Sequence, residues 1–129
     1  MDTNHLGRLI DPQHPLRARF QIALGQGERF YIVLPIITET IAGFSILPRA
    51  PRNWAEWQAL RPSFTLFPLE EIDAVDAARL QVALRRRGRQ LGTVDALIAT
   101  VALRHDVTLL TTDGDFAHVP TLRLESWVQ

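Results

Sequence analysis

The chain has 129 residues, and its 14 basic and 14 acidic side chains balance to a formal net charge of zero, which does not by itself indicate a nucleic-acid binder. This length fits a single domain over residues 1–129, and the absence of cysteine excludes disulfides, thiolate metal sites and a cysteine nucleophile. No apolar stretch is long enough to span a membrane and no signal peptide is recognisable, so we expect a cytoplasmic protein.

Apolar periodicity and chain-breaking residues predict helices that alternate with strands. The predicted helices run from Asn4 to Asp11-Pro12 and over residues 15–24, 38–47, 53–60, 70–87 and 93–105. The predicted strands are residues 30–34, 64–67, 107–112 and 122–124. Asn53 and Thr93 are the predicted N-caps of their helices, and Ile72, Val75 and Val82 are among the predicted apolar positions of the longest helix. The alternation indicates an α/β protein with a mostly parallel sheet covered on both faces.

Four acidic residues lie where an apolar run gives way to a helical or turn pattern: Asp2, Glu39, Asp95 and Asp113. Functional groups of an α/β sheet collect beyond the carboxyl ends of the strands, so these acids can converge in one cleft. Converging carboxylates repel one another unless a cation neutralises them, and oxygen ligands suit a hard ion such as Mg²⁺. The pattern therefore predicts a metal-dependent phosphodiesterase.

Each acid taken alone also has a structural interpretation. Asp2 belongs to a helix-capping string, and Asp113 precedes a glycine in a turn. Glu39 and Asp95 are predicted to lie in the first turn of a helix, where a carboxylate complements the helix dipole. The structural and functional interpretations are compatible, because a helix N-terminus keeps a carboxylate ionised and fixed in position.

The same residues carry a resemblance to the PIN-domain ribonucleases, in particular the VapC-like toxins of bacterial toxin–antitoxin modules. The matching segments are Asp2-Thr3-Asn4, the stretch from Glu39 to Gly43, the stretch from Gly88 to Ala99, and the stretch from Leu109 to Phe116. They follow the family's order and similar spacing along nearly the whole chain. The region from Gly88 to Phe116 is the most specific part of the match.

The resemblance implies a three-layer α/β/α domain and an Mg²⁺- or Mn²⁺-dependent endoribonuclease acting on RNA. Its metal ligands map to Asp2, Glu39, Asp95 and Asp113. Asn4 and Thr112 become candidates for holding the attacking water or orienting a carboxylate. Asp115 is a fifth acid that we expect to cap a short helix beginning at Phe116, or to supply an outer-shell contact. The resemblance also implies a homodimer and a cognate antitoxin protein as partners.

One feature departs from the family pattern. Several apolar residues normally precede the Asp-Thr-Asn motif and form the first strand, whereas only Met1 stands before Asp2 here. The first strand is therefore expected to be truncated. We favour a true start codon upstream of Met1, and the alternative is a shortened, inactive copy.

The arginines Arg85, Arg86, Arg87 and Arg89 form a local basic cluster beside Gly88. They can guide an RNA backbone toward the cleft, or they can simply stabilise the C-terminal end of a helix dipole. Two alternatives to the toxin interpretation stay open: a non-toxin metal nuclease that processes RNA or structured DNA, and a catalytically inactive PIN-like module that only binds a partner.

Overall fold

A computed structural model describes residues 1–128 of the chain, which form two compact units that meet in sequence between Phe67 and Pro68. The first unit contains helix α1 (Thr3–Leu9), helix α2 (Pro15–Gly25), strand β1 (Phe30–Val33), helix α3 (Leu34–Ser45), helix α4 (Ala50–Leu60), a 3₁₀ turn (Arg61–Ser63) and strand β2 (Phe64–Phe67). The second contains helix α5 (Glu71–Arg85), helix α6 (Thr93–Arg104), strand β3 (Leu109–Leu110), a 3₁₀ helix (Gly114–His118) and strand β4 (Leu124–Glu125).

Every strand pair in the described residues is parallel, which confirms the predicted α/β class. In the first unit β1 and β2 pair in register from Phe30 opposite Phe64 to Val33 opposite Phe67. In the second unit β3 and β4 pair with Leu109 opposite Leu124. The predicted strand over 107–112 is wrong in length, because only two of its residues take part in the ladder. The single-domain prediction for residues 1–129 stays a prediction.

Aromatic packing holds the first unit together. The Phe20 ring of α2 lies 4.7 Å from the ring of Phe30 and stacks on Phe64 at 5.2 Å, so one helix covers both strands of the pair. Tyr31 and Phe67 stack at 4.2 Å between ring centroids. The backbone nitrogen of Met1 donates a 3.1 Å hydrogen bond to the Tyr31 carbonyl, which holds the residue before Asp2 against β1.

Two predicted helix starts are wrong, because each helix begins earlier than the apolar pattern suggests, at the residue before a proline. Helix α3 starts at Leu34 with Pro35 in its first turn, and α4 starts at Ala50 with Pro51 in its first turn. Proline suits these positions, where its missing N–H would have no helical partner. Asn53 therefore does not cap α4 but lies buried inside it.

The second unit is built on the packing of α5 against α6. Helix α5 begins with a capping box in which Glu70 and Asp73 exchange hydrogen bonds with each other's backbone. Its buried positions are Asp73, Ala77 and Leu84. The predicted apolar residues Ile72, Val75 and Val82 are exposed instead, so that part of the prediction is wrong. Across residues 1–128, no helix combines the length and apolar character needed to cross a membrane.

Candidate metal centre

Asp2 is a buried carboxylate that caps α1. Its Oδ1 accepts a 3.0 Å hydrogen bond from the His5 backbone N–H and lies 3.2 Å from Nδ1 of the same residue. His5 is itself 1% exposed, so the two polar side chains are buried together in the first turn of α1. The capping geometry agrees with the structural interpretation of Asp2. It also fixes the orientation of the carboxylate, as a metal ligand requires.

Glu39 lies in the second turn of α3, because that helix starts five residues before it. The prediction that Glu39 occupies a first helical turn is therefore wrong. Its exposed carboxylate accepts a 3.2 Å hydrogen bond from the Thr3 hydroxyl of α1. Within the first unit the structure thus brings Glu39 against the residue that directly follows Asp2. Asn4 is exposed in α1, and its carbonyl accepts a hydrogen bond from the Arg8 side chain.

Asp95 lies in the first turn of α6, as predicted, and is partly buried. The N-cap of α6 is Gly92, so the predicted cap at Thr93 is wrong. The start of this helix is held from α5 by Gln81, whose amide nitrogen donates to the Leu91 carbonyl at 2.9 Å and to the Thr93 hydroxyl at 3.4 Å. The helix N-terminus and the Gln81 amide together define the position of the turn that carries Asp95.

Asp113 follows β3 and caps the 3₁₀ helix that starts at Gly114. Its Oδ1 accepts from the Asp115 backbone N–H at 2.9 Å, and its own N–H donates to the Thr111 hydroxyl at 3.0 Å. Asp115 therefore lies inside the 3₁₀ helix, and the prediction that it caps a helix at Phe116 is wrong. Thr112 and Asp115 are both exposed, beside the partly buried Asp113.

Asp2 and Glu39 belong to the first unit, and Asp95 and Asp113 belong to the second. Within residues 1–128, no group of three or more histidine, aspartate or glutamate side chains is close enough to hold a metal ion. The donor chemistry nevertheless fits Mg²⁺ or Mn²⁺, since all four side chains offer carboxylate oxygens and none of the four neighbourhoods offers a thiolate. Whether these four residues ligate a metal stays a prediction.

The basic cluster lies at the C-terminal end of α5. Arg85 is in the last turn of the helix and Arg86 is its C-cap. Arg87 and Arg89 lie beyond the helix end, on either side of Gly88, whose φ of 73° favours glycine. The Arg87 guanidinium donates a weak 3.4 Å hydrogen bond to the His118 carbonyl.

The sequence analysis did not identify the polar side chains that hold the acids in place. Thr3, His5, Gln81 and Thr111 each contact either an acid or the turn that carries one. Thr111 could have been found, because a hydroxyl two residues before a turn acid commonly bonds to its backbone. The contacts of Thr3 and Gln81 connect separate helices, so no pattern in the neighbouring sequence predicts them.

Comparison with known proteins decides the family. The sequence model of the PIN domain matches residues 1–122, which is nearly the whole chain and includes all four acids. The chain belongs to the PIN domain family. The resemblance drawn from its motifs is thereby confirmed. A comparison with functionally curated proteins gives no significant match.

Several solved structures share the PIN fold of this chain. VapBC2 from Rickettsia felis bound to a promoter DNA fragment matches with a TM-score of 0.84 at 21% identity, covering 98% of this chain and 96% of that one. DNA-bound VapBC from Salmonella typhimurium matches with a TM-score of 0.81 at 23% identity, covering 98% and 95%. VapBC-1 from nontypeable Haemophilus influenzae matches with a TM-score of 0.75 at 18% identity, covering 94% and 93%. These matches confirm the predicted fold.

Proposed function

We propose that this PIN-domain protein is a divalent-metal-dependent endoribonuclease whose metal ligands are Asp2, Glu39, Asp95 and Asp113. The observation that supports the proposal is the family match over residues 1–122, a range that includes all four acids, because PIN-domain nucleases generally depend on divalent metals. The ion would be Mg²⁺ or Mn²⁺, because the donors are carboxylate oxygens.

The local contacts of three of the acids, Asp2, Glu39 and Asp113, support this assignment. His5 fixes the Asp2 carboxylate, Thr3 contacts Glu39, and the Asp115 backbone N–H fixes Asp113. The chemistry that a divalent ion supplies to such ligands is activation of a water molecule and neutralisation of charge on the phosphate oxygens. The surrounding residues keep the carboxylates in fixed orientations, so less conformational entropy is lost when a cation brings these like charges together.

The biological role we propose is that of a toxin paired with an antitoxin. The structures from Rickettsia felis, Salmonella typhimurium and Haemophilus influenzae are VapBC assemblies, and those from Rickettsia and Salmonella are bound to DNA. By analogy we propose a cognate antitoxin protein and a homodimer for this chain, in the cytoplasm. The arginine cluster from Arg85 to Arg89 would contact the RNA substrate, since guanidinium groups bind phosphates in a bidentate manner.

The test is cleavage of a pool of single-stranded and hairpin RNAs by the purified protein with Mn²⁺ or Mg²⁺, with chelator, and with the Asp95→Asn variant. We expect cleavage that requires metal and that falls by more than about 100-fold in Asp95→Asn, because a lost ligand weakens both metal binding and water activation. Asp76→Asn is the matched control, since Asp76 lies on α5 and, within residues 1–128, its side chain pairs only with Arg79, at 3.7 Å.

Three results would contradict the proposal. Cleavage that persists in chelator would indicate a contaminating or metal-independent nuclease. Equal activity of Asp95→Asn and Asp76→Asn would remove Asp95 from the site. RNA binding without cleavage by the wild-type protein would favour the inactive binding module. Circular dichroism of each variant shows whether the fold is preserved.

A further inference from the structure

Two cavities of the second unit share one lining residue, an arginine. The first has a volume of about 450 Å³ and lies between the C-terminal half of α5 and the segment that leads into α6. The second has a volume of about 680 Å³ and lies between the Gly88 turn and the segment after the 3₁₀ helix. Arg89 lines both cavities. Among the residues described, no aspartate or glutamate lines either one, so both favour an anionic or neutral ligand.

The first cavity combines apolar and polar groups in the way that a nucleobase requires. Val82 and Leu91 supply apolar surface, and Arg85 and Arg89 supply planar guanidinium groups that stack on aromatic rings. Gln81 lines the same cavity, and its amide nitrogen is already used by Leu91 and Thr93. Its carbonyl oxygen accepts no hydrogen bond within residues 1–128, so it can accept one from a base amino group.

The second cavity suits a phosphate group. Arg87 and Arg89 line it together with His118 and Thr121, so two arginines, a histidine and a threonine border one space. Arginine binds phosphate with two parallel hydrogen bonds. Within residues 1–128 none of Arg85, Arg86, Arg87 and Arg89 forms an ion pair, so their charge is not already neutralised by a carboxylate.

Stabilisation of a helix end accounts for Arg85 and Arg86 but not for Arg87 and Arg89. Helix α5 ends at Arg85, and Arg87 and Arg89 lie outside it. The backbone of Arg89 is fixed, since its N–H donates to the Leu84 carbonyl at 2.9 Å while the Gly88 N–H donates to the Arg85 carbonyl at 3.0 Å. The turn therefore holds Arg89 where its side chain lines both cavities, which is a preorganised arrangement for a ligand.

We propose that these two cavities bind one unpaired nucleotide of the RNA substrate, with its base in the first cavity and a phosphate in the second. This inference rests on the proposed function and names the part of the substrate that the second unit recognises. Gly92 lines the base cavity and caps α6 three residues before Asp95, so the bound nucleotide would lie on the segment that leads to a proposed metal ligand. A base must be unstacked to enter such a cavity, so single-stranded RNA is the expected substrate.

The experiment measures binding of a fluorescent single-stranded RNA hexamer to the full chain in chelator, so that binding is independent of cleavage. Arg89→Gln should weaken binding about tenfold at low salt and reduce the slope of log affinity against log salt by about 0.7, the value for one phosphate contact on a single strand. Arg79→Gln is the matched control, because Arg79 is an exposed α5 residue outside both cavities.

A second pair of variants tests the base cavity. Val82→Trp fills the cavity and should weaken binding of the hexamer about tenfold, but should leave binding of an abasic hexamer unchanged. Val75→Trp is its control, because Val75 is also an exposed α5 valine and does not line the cavity. Both valines are exposed, so neither substitution disturbs the core.

The inference is overturned if Arg89→Gln binds as well as Arg79→Gln, or if Val82→Trp affects the normal and abasic hexamers equally. Cleavage by the wild type with Mn²⁺ is measured in parallel. Cleavage together with unaltered binding by these variants would retain the proposed nuclease and reject the nucleotide site. The expected binding changes without any cleavage would retain the nucleotide site and reject the nuclease.

Discussion

The carboxylate of Asp73 near the start of α5 receives two hydrogen bonds from the guanidinium of Arg104 at the end of α6. Nε donates to Oδ1 at 2.7 Å and Nη2 donates to Oδ2 at 2.9 Å, while the Glu70 backbone N–H also donates to Oδ2 at 2.9 Å. Asp73 is 1% exposed. One buried carboxylate thus joins the two main helices of the second unit and completes the cap of α5.

We expect Asp73→Ala to be one of the most destabilising single substitutions in the second unit. It removes the acceptor of the Arg104 pair and half of the capping box, so the free energy of unfolding should fall by about 2–4 kcal/mol. Urea denaturation followed by circular dichroism measures this change. Asp76→Ala, which loses only an exposed 3.7 Å pair with Arg79, is the control and should change stability by less than about 0.5 kcal/mol. Equal effects of the two substitutions would contradict the role of the buried pair.

The same pair predicts a dependence of stability on pH. The hydrogen bond from Arg104 holds the pKa of Asp73 below its usual value, against an opposing effect of burial. A lowered folded-state pKa means that the stabilisation is complete above the unfolded-state pKa of about 3.9 and is lost as pH falls toward the folded-state pKa. Chemical denaturation between pH 6 and pH 3 should therefore show a steeper loss of stability for the wild type than for Asp73→Asn. Parallel curves would argue against this linkage.

Thr40 carries a buried hydroxyl with no hydrogen-bond partner in the described part of the chain, and the residue is 3% exposed in α3. Thr40→Val replaces the hydroxyl with a methyl group of similar size, so it should raise the free energy of unfolding by about 1 kcal/mol. Thermal and urea unfolding measure the gain. Thr38→Val, at an exposed position of the same helix, controls for the change in helix propensity and should be close to neutral. A destabilised Thr40→Val would show that the hydroxyl has a polar role.

The sequence predicted the elements best where the local pattern and the tertiary structure require the same residues. Strand β2 was predicted with its observed bounds, since Phe64–Phe67 is flanked by proline on both sides. Asp2 and Asp113 cap the elements that follow them and Asp95 lies in the first turn of α6, because acids at helix starts have a local signature. The start of α3 was missed because Ile36 and Ile37 continue the β-favouring run of β1 into the helix.

The contacts that a residue makes across the structure were not predictable from local pattern. Helix α5 buries the charged Asp73 and exposes the apolar Ile72 and Val75, which reverses the usual expectation. The reversal depends on Arg104, a partner 31 residues away that no periodicity in α5 reveals. The contact of Glu39 with Thr3, 36 residues apart, is of the same kind.

Substitution of Gln81 should change the position of Asp95 indirectly, through the start of α6. The Gln81 amide bridges α5 to Leu91, which precedes α6, and to Thr93, which is the first residue of α6. Gln81→Leu keeps the size of the side chain but removes the donor, so the start of α6 should open more often. Hydrogen exchange of the Ala96 amide, which donates the 2.8 Å bond to Gly92 that begins the helix, should then accelerate about five- to tenfold, the equivalent of one hydrogen bond.

Gln90→Leu is the control for the exchange measurement, because Gln90 lines the same cavity but makes no hydrogen bond within residues 1–128. If Gln81 acts by positioning Asp95, Gln81→Leu should lower the rate of metal-dependent cleavage even at saturating RNA, where weaker base binding no longer limits the rate. Gln81→Asn should restore this rate only in part, because its side chain is one methylene shorter. Accelerated exchange with unchanged cleavage would make Gln81 a structural residue only. Unchanged exchange would show that the start of α6 is held by its own backbone, with the bridge from α5 contributing nothing measurable.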